Sequence, residues 1–391
     1  MTTIRRDAAD RAWLVLAKAQ LRGKCLAEML DRHGTAERIA ALASRELRNS
    51  CLSEASRDAI LHPDEASIEK DLAWLEPSDH HLIHLRSEHY PDLLRQIDEP
   101  PVLLYVNGHI DALHLPSLSI VGSRNPTRGG VRNAFDFARH LASCGFCIVS
   151  GLAEGIDTAA HQGALAAQAS TVAFLGHGID RVYPAANRDL AHRIAEQGAL
   201  VSEYPLGSPP LRQHFPERNR LISGLSLGTL VVEAARQSGS LISARLAAEQ
   251  GREVFAIPGS IHNALARGCH LLIRQGAKLV ETADDIVSEL APLVGHVMQN
   301  ANAADVPDSG QSPLAERDAD YEILLSTLAH DPATADELAR QSGLTIDQVS
   351  SMLLILELEG EIEALNGGQY GILRSSSRHE RERARRTDVS L

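Results

Sequence analysis

The rhythm of apolar and polar positions changes along the 391 residues, and each change marks a predicted boundary. From residue 1 to about 75 the apolar positions recur at helical spacing, as in "RAWLVLAKAQ" and "CLAEMLDRHG", with Gly23 and Gly34 as stops. A small helical domain over 1–75 is predicted. Residues 76–116 place Pro91, Pro100 and Pro101 around one short apolar strand and read as a connector. From Ser117 the apolar runs "LSIVG", "FCIVSG", "TVAFLG", "ALVSEY", "GTLVVEA" and "EVFAIPG" alternate with helically spaced stretches such as Val131, Phe135, Ala138 and Leu141. Short Val/Ile/Leu runs bounded by Gly or Ser suit strands buried on both faces of a parallel sheet. The fold class is therefore α/β, a doubly wound, mostly parallel sheet, which with its connector spans 76–290.

Beyond it, residues 291–320 lose periodicity and gain Asp, Asn, Pro and Ser, a linker composition. Residues 321–374 read as three helices followed by a Gly-Gly hairpin, the order of a winged helix-turn-helix. Residues 375–391 form an Arg-rich tail. The third helical stretch, "TIDQVSSMLLILELEGE", has no Lys or Arg and several Glu. A helix that reads duplex DNA needs donors for phosphates and base edges, so this domain is expected to bind protein or its own body.

A formal net charge of −13 argues against diffuse adhesion to nucleic acid or anionic membrane, so any polyanion site has to be local. No run approaches 18 uninterrupted apolar residues and the N-terminus lacks the features of a secretion signal, so a cytoplasmic protein without membrane association is expected. Five scattered cysteines, Cys25, Cys51, Cys144, Cys147 and Cys269, fit reduced thiols. Cys144-Gly-Phe-Cys147 has redox or metal spacing but no second Cys/His pair, and reads as packing where a helix turns into a strand.

In a doubly wound sheet, ligands bind beyond the carboxyl ends of the strands. The stretches there are "GSRNPTRGG", "SGLAEGID", "GHGIDRVYPAANRDL", "PLGSPPLRQHFPERNR" and "ARQSGSL", which together combine Gly and Ser with Arg124, Arg128, Arg181, Arg188, Arg212, Arg218, Arg220 and Arg236. Small residues let backbone N–H groups approach phosphate oxygens, helix N-termini add partial positive charge, and guanidinium forks grip phosphate. Residues 118–275 contain 15 arginines, no lysine and 11 carboxylates, so positive charge is concentrated in the sheet domain. In "HFPERNRLIS" a Phe-Pro corner opens a helix carrying Arg218 and Arg220. No G-x-x-x-x-G-K-[ST] or G-x-G-x-x-G occurs, so neither a Walker-type NTPase nor an ordinary dinucleotide site is supported. Asp157 and His161, at i and i+4, read as a helix-start anchor and a packed histidine, and no metal or cofactor is expected.

These motifs, with "SIVGSRNPTRGG", "IVSGLAEGIDTAAHQGAL", "SEYPLGSPPLRQHFPERNRLISGLS" and "RGCHLLIRQGAKLV", closely resemble the DprA/Smf family of DNA-processing proteins across roughly 80–280. The resemblance extends to a SAM-like N-terminal domain and a C-terminal winged helix. It implies a homodimeric protein that is not an enzyme in the usual sense. Such a protein binds single-stranded DNA taken up in natural transformation, protects it, displaces single-strand-binding protein and loads the RecA recombinase. It also implies a pocket made by Gly122, Ser123, Arg124, Ser150, Gly151, Arg212, Phe215, Arg218, Asn219, Arg220, Ser238, Gly239 and Ser240. Arg218 and Arg220 would hold adjacent phosphates, and Phe215 would offer a face to a base. Many members carry Lys after the Tyr-Pro of the third loop; here that residue is Ala185, and Arg188 is expected to take over the phosphate. The implied dimer face contains His270, Ile273 and Leu279. The alternative reading is a Rossmann-like nucleotide sensor or a phosphoribohydrolase with Glu233 as catalytic carboxylate. Three residues rather than two separate Thr229 from Glu233, which departs from the hydrolase pattern.

Overall fold

The structure, a computed structural model, describes residues 2–303 and, further on, 324, 328, 333–342, 349, 352, 353, 356, 362–365 and 369–372. Six helices come first: α1 (Thr2–Lys18), α2 (Gly23–His33), α3 (Ala36–Ala40), α4 (Ser44–Arg48), α5 (Glu54–Leu61) and α6 (Glu65–Trp74). Thr35, Ser53 and Asp64 start three of them by accepting the backbone N–H three residues on, which satisfies a donor that has no partner within the helix.

A nine-stranded sheet follows: β1 (His80–His84), β2 (Leu103–Gly108), β3 (Ser117–Val121), β4 (Cys147–Ser150), β5 (Thr171–Leu175), β6 (Ala199–Ser202), β7 (Gly228–Val231), β8 (Glu253–Ala256) and β9 (Lys278–Leu279). The helices between them are α7 (Asp92–Arg95), α8 (Arg128–Ser143), α9 (Ile156–Ala166), α10 (Arg188–Gln197), α11 (His214–Leu225), α12 (Ser240–Glu249) and α13 (Arg267–Arg274), and α14 (Asp284–Ala303) follows β9. Strand order is β1-β2-β6-β5-β4-β3-β7-β8-β9. From β6 to β9 all neighbours are parallel, whereas β1 and β2 join antiparallel. The chain steps from β3 outward through β4 and β5 to β6, then returns to β7 on the other side of β3. That reversal leaves a crevice at the carboxyl ends of β3 and β7, where open α/β sheets place ligands.

The six apolar runs of the sequence are β3 to β8. The connector is structural: its apolar run is β2 and "HHLIH" is β1, paired from His80↔Asn107 to His84↔Leu103. The helices of 1–75 share one buried cluster with the sheet, in which Trp13, Leu14 and Leu16 join Leu103, Tyr105, Leu175 and Leu200. Lys18 meets the buried Asp71 at 2.6 Å, and the Tyr105 hydroxyl donates to the same carboxylate at 3.1 Å, tying α1 and α6 to β2. Residues Met1–Asp305 accordingly form one compact unit, and Val306–Leu391 a second.

Two expectations are corrected. The linker predicted from 291 begins as helix, because α14 continues to Ala303. Ile286, Leu290 and Val294, at i, i+4 and i+8, pack on the sheet's second face and hold the helix where composition alone reads linker. Cys25 and Cys51 are not reduced thiols but a disulfide. Tertiary packing brings α2 beside the turn before α5, a proximity that an odd cysteine count cannot reveal. The other three cysteines are free. Cys144 follows α8 and Cys147 opens β4, and burial pushes the Cys147 thiol up to about 12.

In the second unit, β10 (Ala333–Thr334), β11 (Ile362–Leu365) and β12 (Gln369–Ile372) make a sheet in the order β10-β12-β11, beside a helix over Ala335–Ser342. Leu338, Val349, Leu353, Leu356 and Ile362 are buried together, the arrangement of a winged helix. The Arg-rich tail and most of the predicted third helix lie outside the described residues.

Candidate functional site

A cleft of about 820 Å³ opens at the carboxyl ends of β3 and β7. Its wall contains Gly122, Ser123 and Arg124 after β3, Ala153 and Asp157 after β4, Tyr183 after β5, Arg212 before α11, and Ser238, Gly239 and Ser240 at the start of α12. Helix α11 adds Phe215, Arg218, Asn219 and Ile222, spaced i, i+3, i+4 and i+7, which is one face of a helix.

The loops are held by side chains that hydrogen-bond to their backbones. Asp157 accepts the N–H groups of Gly151 and Ala153 at 3.1 and 3.3 Å. Burial raises its pKa, opposed by the charge of Arg218. Asn187 donates to the Leu152 carbonyl and the Thr158 hydroxyl, both at 2.9 Å, so the third loop leans on the second. Gly155 has φ +83°, and a Cβ there would stand 2.4 Å from the Ser123 carbonyl. Only glycine lets α9 start so close to the β3 loop.

Arg218 is 3% exposed. Its Nη1 donates to the carbonyls of Gly151, at 2.9 Å, and Phe174, and its Nε donates to Asn219 at 3.4 Å. Among the described residues it makes no ion pair within 4 Å. Burial pulls its pKa down to about 10, so the guanidinium stays charged at neutral pH. The charge of Asp157 favours the guanidinium without an ion pair within 4 Å, so the buried cation is only partly compensated, and it lies in the floor of the cleft, where an anion would lower that cost. A Cβ on Gly151 would stand 2.5 Å from its Nη2, so the glycine makes room for the guanidinium.

Arg220 faces elsewhere. Its Nη2 meets both Glu203 oxygens, at 2.7 and 2.8 Å, with the two side chains 15% and 9% exposed. The expectation that Arg218 and Arg220 hold adjacent phosphates is therefore corrected: residues two apart on a helix point about 200° apart. Arg220 instead fastens α11 to the loop after β6, as does Tyr204, stacked on His214 at 4.1 Å.

Of the other expected residues, Ser150 is buried and its hydroxyl donates to the Ile120 carbonyl at 2.7 Å. Ser150, Gly151 and Arg188 lie outside the wall, with Arg188 exposed at the start of α10. Glu233 is 8% exposed, and both its oxygens accept from Thr127, at 2.8 Å from the N–H and 2.7 Å from the hydroxyl, where α8 begins. The wall's single carboxylate among the described residues is Asp157. His161 is fully buried against Thr171, and no metal-binding cluster occurs among the described residues. At the far edge of the sheet, His270 contacts the Gly259 carbonyl at 2.9 Å, Ile273 is half-buried, and Leu279 is 44% exposed. Tyr183 was not among the expected residues, although an aromatic in a strand-end loop of a chain with only six tyrosines was a signal.

A doubly wound sheet with an arginine- and glycine-lined cleft at its switch point defines a Rossmann-like α/β protein built to receive anions. Residues 81–291 match the family described as DNA recombination-mediator protein A, and residues 308–368 match the DprA winged helix domain. The chain belongs to this DprA/Smf family. It is 44% identical over 312 residues to Protein Smf of Escherichia coli, covering 79% of this chain and 82% of that one. It is 46% identical over 200 residues to DNA processing protein DprA of Streptococcus pneumoniae, covering 51% and 71%. The X-ray structure of the Streptococcus pneumoniae protein superposes with a TM-score of 0.64 at 36% identity, covering 72% of this chain and 97% of that one. A Helicobacter pylori DNA processing protein A, solved to describe its single-stranded DNA binding mode, superposes with a TM-score of 0.50 at 29% identity, covering 55% and 96%.

Proposed function

We propose that this protein binds single-stranded DNA in the switch-point cleft and acts as a recombination mediator without itself being an enzyme. It would protect incoming strands, displace single-strand-binding protein and pass the strand to the RecA recombinase. The observation that carries the reading is the cleft floor: a buried, charged Arg218 that makes no ion pair within 4 Å among the described residues, under a rim bearing Arg124 and Arg212. A strand lying there gives its phosphates to the arginines and to the start of α12. Family membership and the single-strand binding of the Helicobacter pylori relative support the same ligand. Against a hydrolase, both oxygens of Glu233 are engaged by Thr127, and Oδ2 of Asp157 by two backbone N–H groups. Homodimerisation through the β9 edge is part of the proposal, supported by Leu279 at 44% and Ile261 at 73% exposure. No helix among the described residues is long and apolar enough to cross a membrane.

The test is fluorescence anisotropy of labelled oligo-dT and of a matched duplex over a salt series, with wild type and Arg124→Ala/Arg212→Ala. The expected result is salt-dependent single-strand binding by wild type. In the double variant the slope of log K against log salt is expected to shrink by about 0.7 for each phosphate deprived of its arginine. Equal binding by the double variant would remove the cleft from consideration. Release of base from nucleoside monophosphates would revive the hydrolase reading.

A further inference from the structure

Two of the loops that wall the cleft come from neighbouring strands: the one after β5 brings Tyr183, and the one after β6 brings Pro210 and Arg212. Outside the wall these loops are tied together, because the Gly207 N–H donates to Oδ1 of Asp180 at 2.8 Å and the Gly178 N–H donates to the Ser208 carbonyl at 3.0 Å. Both are seated on the core that the helices of 1–75 share with the sheet: Ile179 is buried in it, and Val182 and Leu206 pack against it. At this junction α6 supplies a cation. A Cβ on Gly207, where φ is +81°, would stand 3.9 Å from Nζ of Lys70. Lys70 is exposed and makes no ion pair among the described residues. Its neighbours three and four positions away, Ala66, Ser67, Ala73 and Trp74, offer it no carboxylate. The carboxylates of α6 are turned elsewhere: Glu65 to Arg11, Asp71 to Lys18, and Glu69 to a separate cavity beside β1. On the β5 loop, Arg181 reaches Asp180 only at 3.9 Å, with its side chain 40% exposed, a loose surface pair that leaves the guanidinium available to a phosphate.

We propose that the strand's path continues out of the cleft over the Asp180–Gly207 junction and onto α6, with Arg181 and Lys70 gripping phosphates of the same strand, so that the helical region is part of the nucleic-acid surface. The inference rests on the single-strand reading above and extends it beyond the sheet domain. The ligand of this extension is the sugar-phosphate backbone, held without regard to sequence. An ammonium on a flexible stem and an exposed guanidinium supply charge to phosphates, and phosphate contacts position a strand without reading its bases. Each such contact releases counterions, so the extension is visible in the salt dependence of binding.

The experiment uses the full chain and an oligo-dT length series at several salt concentrations, comparing wild type, Lys70→Ala/Arg181→Ala and Lys70→Arg. The double variant is expected to match wild type on the shortest oligonucleotides that wild type binds and to bind longer ones more weakly. On those its slope of log K against log salt is expected to be smaller by about 0.7 for each cation removed. Lys70→Arg is expected to follow wild type at every length, and the melting temperature to stay unchanged in both variants, since the side chains are exposed. A second measurement needs no variant: strands carrying a photoreactive azidophenacyl group on successive phosphorothioates, cross-linked to wild type, are expected to mark the peptide containing Lys70 from positions beyond those that mark the cleft. If the double variant keeps wild-type affinity and salt slope at every length, loses affinity equally at all lengths, or no position marks α6, the extension is overturned while the single-strand reading stands. If wild type binds no single strand, both fall.

Discussion

Two arginines two positions apart in "RNR" have different fates, and helical geometry is the reason. Arg218 shares its face of α11 with Phe215, Asn219 and Ile222 and enters the cleft floor, whereas Arg220 turns to Glu203. The residue types were legible in the sequence; their directions needed the helix and the position of Glu203, 17 residues away. Arg220→Ala would strand a carboxylate that is 9% exposed, and breaking such a pair costs roughly 3–5 kcal/mol. Urea unfolding is expected to show that loss, while single-strand affinity under conditions where the variant is folded stays near wild type. Undiminished stability with weakened DNA binding would return Arg220 to the phosphate site.

At the scale of elements, the strands β3 to β8 were legible as apolar runs because nearly all their residues are buried, β8 from its second half onward. β1 was not, since "HHLIH" is an edge strand of mixed polarity, nor was β9, which has only two residues. The packing of α9 on the sheet has a consequence for pH. His161 Nδ1 lies 2.8 Å from the Thr171 hydroxyl oxygen, and that hydroxyl donates to the Ile148 carbonyl. Nδ1 is therefore the protonated nitrogen, and Nε2 is left buried without a partner. Burial, with the charge of Arg218, pulls the pKa down to about 3. Because the folded value lies below the unfolded one near 6.5, the unfolded chain binds the extra proton between them. Stability from this group is full above pH 6.5 and is lost as pH falls, by about 1.4 kcal/mol per unit down to pH 3. Denaturant midpoints of wild type are expected to fall in acid more steeply than those of His161→Gln; parallel curves would show that His161 does not titrate in this way.

At the scale of the molecule, the helical region and the sheet share a core. The face bearing Leu103, Tyr105, Leu175 and Leu200 is closed by Trp13, Leu14 and Leu16. Deleting residues 1–75 would expose that face, with a loss on the order of 5 kcal/mol if a few large side chains return to water. The truncated protein is expected to unfold at markedly lower urea or to aggregate; a midpoint equal to that of the full chain would mark residues 1–75 as a separable domain. Charge is unevenly spread along the chain: it carries −13 overall, yet residues 118–275 hold 15 arginines against 11 carboxylates.

The sequence by itself determined the doubly wound sheet, because buried parallel strands must be written as continuous apolar runs, and it placed the site, because phosphate-receptive loops must be small and cationic. Ten of the fourteen expected strand-end residues line the cleft. Only the tertiary structure decided which of them face a ligand and which hold the scaffold, since that depends on partners far along the chain: Glu203 for Arg220, the Gly151 and Phe174 carbonyls for Arg218, and Ile120 for Ser150. It likewise decided the Cys25–Cys51 disulfide, the fusion of the helical region with the sheet, and the exposure of Tyr183 beside a half-buried Phe215. A linear pattern records what each residue can do; three-dimensional proximity selects which of those things it does.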